Sequence, residues 1–183
     1  MVASASLQLE SLSASFMVDA CDFFKSREPS WEWPNLTSLV LTSRLLTPDE
    51  STIKIGDLLQ AAAAAAMKMP KLETMEIWNG RKGLAALFRY QSIGGGRPAV
   101  VTWKGTWDFA LEPPVIRAWE AVALSHRGFG LTIVKELLHP SVIETHGDSI
   151  HCLKHSTPVI RPVSLHQIRM EHKISRGVGP DGS

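Results

Sequence analysis

Several things are scarce in this 183-residue chain, and each scarcity excludes something. There are two cysteines, Cys21 and Cys152, too few for a disulfide framework; they read as buried free thiols of a reducing compartment. Neither sign of charge is in excess. Nineteen basic residues face 18 acidic ones, for a net charge of +1, which removes the electrostatic footprint of a nucleic-acid binder. Long hydrophobic runs are missing too. The most apolar stretch, Leu58 to Met67, is about half of what a membrane span needs, and Asp57 and Lys68 bracket it. The N-terminal MVASASLQLESL has no basic region and no continuous apolar segment, so no signal peptide is expected. These absences predict a cytoplasmic or nuclear protein that binds neither membrane nor nucleic acid. What is present argues against disorder: 44% of the residues are hydrophobic and charge is nearly balanced. The length suits about one domain of ~150 residues with a substantial core.

Catalytic signatures are also lacking. No HExxH, CxxC, GxxxxGK[ST] or GxSxG occurs. Gly94-Gly95-Gly96 has no following helix and reads as a flexible connection rather than a phosphate loop. His146, Gly147, Asp148 and Ser149 include the residue types of a hydrolase triad, but they are adjacent in sequence, whereas triad members converge from separate elements. A non-catalytic domain without a cofactor is therefore expected. The alternative is a metal-dependent enzyme built on the densest titratable cluster, His146, Asp148, His151 and His155, with His139 and Cys152 nearby. If Ile150 to Leu153 is a strand, His151 and His155 share a face with Leu153 while Cys152 points away.

The chain does contain repeats. Leu9–Ala14 (LESLSA), Leu36–Leu41 (LTSLVL) and Leu72–Ile77 (LETMEI) share the pattern apolar, two others, apolar, one other, apolar, at spacings of 27 and 36 residues. Each reads as a short strand preceded by an inward-pointing leucine, the leucine-rich-repeat signature. One such unit cannot bury its own apolar face, so its neighbours must cover it. Helical material separates the strands. Asp19 to Phe24 suits a short helix, and Ile55, Leu58, Leu59, Ala62, Ala66 and Met69 recur at helical intervals through a run of six alanines.

Beyond Gly80 the pattern changes. LAALFRYQ (84–91) and AVVTW (99–103) read as a pair of strands. Pro113-Pro114 opens a helix with the stripe Val115, Ile116, Trp119, Val122 and Ala123, closed by His126, Arg127 and Gly128. Residues 131–138 suit strand or helix equally. Ser164 caps a short helix bearing Leu165 and Ile168, and residues 175–183 read as a disordered tail. The expectation is a single α/β domain over 1–174: irregular leucine-rich-repeat-like strand–helix units (1–79) passing into a mixed sheet with covering helices (80–174).

Alternation along the strands predicts which residues a partner would meet. If Leu39, Leu41, Met75 and Ile77 face the core, then Ser38, Val40, Thr42, Thr74, Glu76 and Trp78 share the opposite, concave face. An aromatic there is a natural binding anchor, and these six are the candidate protein-binding residues. On this reading Leu41→Ala is costly and Val40→Ala mild.

Six tryptophans against one tyrosine carry a resemblance as well. LSASFMVDACDFF, SWEWPNLTSLVLTSRLLTP, MPKLETMEIWNG, VTWKGTWDF, THGDSIH and PVSLHQIRMEH, which together span nearly all of residues 7–172 in order, resemble an uncharacterised C-terminal domain of fungal F-box/leucine-rich-repeat-like proteins. The resemblance implies an irregular repeat fold ending in an α/β cap, and no activity. It implies a protein-interaction domain, the substrate-receptor part of an F-box-type ubiquitin-ligase component, whose protein partner is unknown. No F-box segment precedes the repeats here, so the chain reads as a detached or truncated module. MVASAS reads as too short and small to cap the first repeat, and self-association through an exposed edge strand at Ser11 to Phe16 is expected.

Overall fold

A computed structural model of the chain describes residues 2–92, 94–127 and 130–157. Six strands form one sheet in sequential order: β1 (Ser11–Ser13), β2 (Ser38–Thr42), β3 (Thr74–Arg81), β4 (Leu84–Gln91), β5 (Ala99–Gly105) and β6 (Leu131–Leu137). β1, β2 and β3 run parallel, β4 is antiparallel to both its neighbours, and β6 is parallel to β5. The helices are α1 (Val2–Ala5), α2 (Ala20–Lys25), α3 (Thr52–Ala66), α4 (Pro113–Arg127) and α5 (His146–Leu153). The chain is thus of the expected mixed α/β class.

The register of the parallel strands follows the repeat alignment residue for residue, but of the three leucines expected to point inward only Leu36 and Leu72 are buried, and Leu9, ahead of the edge strand, is exposed. Ser11 pairs with Ser38 and Ser38 with Thr74; Leu12 pairs with Leu39 and Leu39 with Met75. Stacking like on like puts Leu39, Leu41, Met75 and Ile77 on one face. There they join Phe23 and Phe24 of α2, Leu58, Leu59, Ala62 and Ala66 of α3, and Val115, Trp119, Val122 and Ala123 of α4. The alanines let α3 lie close, and the Trp119 indole N–H donates to the Leu59 carbonyl across that packing. Asp19 caps α2 by accepting from the Cys21 N–H, as Ser51 caps α3 by accepting from Ile53.

Four expectations are corrected or sharpened. Residues 131–137 form a strand, β6, whose Val101 and Trp103 partners lie on β5. Ile150–Leu153 is helical and belongs to α5. Thr145 and Asp148 form a reciprocal capping box, and Ile150 and Leu153, three residues apart, put one apolar face on the sheet. The division between residues 79 and 80 falls inside β3, and the sheet runs through it unbroken. MVASAS is also more than an ineffective stub. Ala3 and Ser6 are buried, and Ser6 Oγ accepts the Trp33 indole N–H at 2.8 Å. Small side chains suit this close seating. The expected Gly128 cap, the helix at Ser164 and the tail at 175–183 lie outside the described residues. Among those described, no helix is long and apolar enough to cross a membrane.

Candidate functional site

Alternation places Ser38, Val40, Thr42, Thr74, Glu76 and Trp78 on one face of the sheet, opposite the main helix layer. That face is not the open concave surface expected. Val40, Glu76 and Trp78 are fully buried, because α5 returns across the sheet and packs Ile150 and Leu153 on Val40, Trp78, Ala85 and Leu87. Ser38, Thr42 and Thr74 are half-buried. The approach of α5 to β3 is close. His146 Nδ1 lies 2.8 Å from the Gly80 carbonyl, and a side chain at Gly80 would overlap Ser149.

Under α5 lies a buried polar cluster centred on Glu76. Its Oε1 accepts from Arg89 Nε at 2.7 Å, from the Ser156 N–H at 2.8 Å and from Ser156 Oγ at 2.6 Å, while Oε2 lies 2.7 Å from His155 Nδ1. Burial by itself raises the pKa of this carboxyl. The hydrogen bonds from His155 and Ser156 and the charge of His155 outweigh that and hold it at about 2. His155 Nε2 is buried and has no hydrogen-bond partner among the described residues. The Arg89 guanidinium also donates to the Lys154 carbonyl, so the chain leaving α5 is tied twice to this cluster.

The four residues of the metal alternative do not converge. His146 goes to Gly80, Asp148 accepts from the Thr145 backbone and hydroxyl, His151 is exposed, and His155 pairs with Glu76. Among the described residues, no three His, Cys, Asp or Glu side chains are grouped to hold a metal ion. The Gly94-Gly95-Gly96 connection is accounted for by its backbone, since all three glycines have positive φ.

The accessible part of the site sits beside this cluster, at the C-terminal ends of β1 and β2. A cleft of about 450 Å³ is lined by Phe16, Met17, Val18 and Asp19 of the β1–α2 loop, Asp22 of α2, Thr42 at the end of β2, Ser43 and Arg44 just after it, and Asn79 of β3. Open sheets with parallel strands bind ligands at this end, where successive loops diverge. Its polar lining is largely committed to holding the walls. Asp19 accepts from Cys21 N, Ser43 Oγ and Arg44 N, Thr42 Oγ1 accepts the Phe16 N–H at 3.0 Å, and Asn79 donates to the Leu46 carbonyl. Its large solvent-facing apolar groups are Phe16, 59% exposed, and Met17, 75% exposed, and the exposed Arg44 stands beside them.

Phe16 has φ +66°, the left-handed region that a bulky residue rarely adopts, at a cost of roughly 1–3 kcal/mol. Neighbouring rings hold it there. Phe16 meets Trp78 edge-on at 5.2 Å between centroids and His146 at 5.3 Å, and Trp78 Nε1 donates to Ser15 Oγ at 3.1 Å. Trp78 in turn stacks on His146 and meets His155 edge-on at 4.7 Å. Of the six predicted binding residues, only Thr42 lines the cleft. Sequence reasoning missed Phe16, Met17, Asp19 and Arg89; position alone could have found the first three, because Phe16 and Met17 lie between a parallel strand and the N-cap of the next helix, and Asp19 is that N-cap.

Residues 1–161 match the model of a family described as a family of unknown function (DUF6546). No curated protein and no solved structure matches the chain. With most of its length covered by that match, the chain belongs to DUF6546, an uncharacterised family.

Proposed function

We propose that this domain is a non-catalytic protein-interaction module that takes an apolar side chain of a partner polypeptide into the cleft at the C-terminal ends of β1 and β2. The observation that carries this reading is the pair Phe16 and Met17, two large apolar side chains exposed on the rim of a cleft whose polar groups are mostly spent on its own walls. Such a site offers few free groups for orienting a polar small molecule. It does offer an aromatic and a thioether for desolvated contact, with Asp22 and the exposed Arg44 as a charged rim. Within this reading, and following the resemblance drawn from the tryptophan-rich blocks, the domain is the substrate-receptor part of a fungal F-box-type ubiquitin-ligase component working in the cytoplasm or nucleus. The open edge of β1, where Ser11 and Ser13 are exposed, makes self-association part of the same proposal.

The test is site-directed photo-cross-linking in a fungal extract, with a benzophenone amino acid at position 17 or, as a control, at the equally exposed Ile53 of α3. A discrete product from position 17 that is lost with Phe16→Asp is expected. The same products from both positions would sink the cleft reading.

A further inference from the structure

We propose that Phe16 is a latched lip of the cleft, and that the buried Glu76 is the positioning residue that keeps the latch closed. This inference rests on the cleft reading above and deepens it into a means of regulation.

Phe16 is the one described residue of the cleft whose backbone sits in the left-handed region, and a bulky side chain there persists only where its surroundings impose it. Those surroundings are narrow: the rings of Trp78 and His146, the Ser15–Trp78 hydrogen bond and the Thr42 hydroxyl on the Phe16 N–H. Trp78 and His146 come from different elements and face each other only because α5 is seated on the sheet. The C-terminal end of α5 is seated by the cluster in which Glu76 gathers Arg89, His155 and Ser156. A continuous chain of contacts therefore runs from Glu76 through His155 and Trp78 to Phe16, although Glu76 itself lines no part of the cleft. When the far end of α5 is released, Trp78 and His146 no longer face Phe16 in register, and the lip relaxes to an ordinary backbone conformation. A partner that fits the latched lip stabilises α5, and anything that lifts α5 weakens that partner by the same factor.

Amide exchange of the Phe16 N–H reads the latch without any partner present. Glu76→Gln and, independently, His146→Ala should each raise its exchange about tenfold relative to the amides of β2. Leu59→Ala, which damages the opposite core, should lower global stability without that selective change. His146 is half-exposed, so its variant keeps the experiment decisive should Glu76→Gln fail to fold. A Phe16 amide moved no more by these variants than by Leu59→Ala would overturn the proposal. The cross-link from position 17 separates the two readings. If it is present in the wild type and unchanged in folded Glu76→Gln, docking stands and the latch falls. If it is absent from the wild type while Phe16 exchange responds as described, the docking reading alone falls.

Discussion

Glu76 and His155 stand 79 residues apart in the chain and meet at 2.7 Å, fully enclosed, between β3 and the end of α5. Because the Glu76 carboxyl titrates at about 2 when folded, against an ordinary 4.5, its contribution to stability is complete above pH ~4.5 and is lost as pH falls towards 2. A shift of that size corresponds to roughly 3 kcal/mol. Urea titrations from pH 5 to 2.5 should show stability falling in wild type and a flatter profile in Glu76→Gln, which is also weaker at pH 7 because Arg89 and His155 lose a buried anion. Parallel profiles for the two proteins would mean that Glu76 does not carry the acid sensitivity.

Gly80 has no room for a side chain. Gly80→Ala should destabilise by about 1–3 kcal/mol through overlap with Ser149. Ser149→Gly in the same chain should recover part of that loss, less the ~1 kcal/mol that a helical glycine costs. Chemical denaturation of the three variants measures it, and an undiminished Gly80→Ala protein would refute the close seating of α5.

Leu41→Ala should cost about 2–5 kcal/mol by opening the main core. Strand alternation alone makes Val40→Ala mild, but Val40 is buried beneath α5, so a loss of about 1–2 kcal/mol is expected from its lost methyl burial. Thermal denaturation with both variants distinguishes a covered second face from an open one, since an open face leaves Val40→Ala close to wild type.

Asp19→Ala should cost about 1–2 kcal/mol, because one carboxylate caps α2 and also holds Ser43 and Arg44 against the cleft. Asp19→Asn, which keeps an acceptor for the Cys21 N–H, should lose less. Equal losses in urea would show that the cap contributes little.

The β1 edge gives a prediction for assembly. Ser13 is exposed on a three-residue edge strand, so wild-type protein should self-associate as its concentration rises, and Ser13→Lys should suppress this by placing a charge on the edge. Sedimentation velocity across a concentration series is the measurement. A strictly monomeric wild type would end the edge-pairing proposal.

Five of the six strands, and the alignment of the first three, were legible in the sequence. Leu9, Leu36 and Leu72 mark three segments that stack in register, and β4, β5, α2, α3 and α4 follow from alternation, helical periodicity and proline punctuation. These are local patterns: a period of two or 3.6 is written in consecutive residues, and like units stack because each leaves the same face uncovered. What covers the other face follows from long-range packing alone. Nothing within Thr74–Trp78 signals that a helix 70 residues later covers it, and Ile150–Leu153 reads as a strand until the Thr145–Asp148 capping box is seen closed. The Glu76 cluster, the overlap at Gly80 and the left-handed Phe16 arise from that non-local return of the chain. Burial of a charged or strained group is set by what packs on it, and its own neighbours in sequence do not record that.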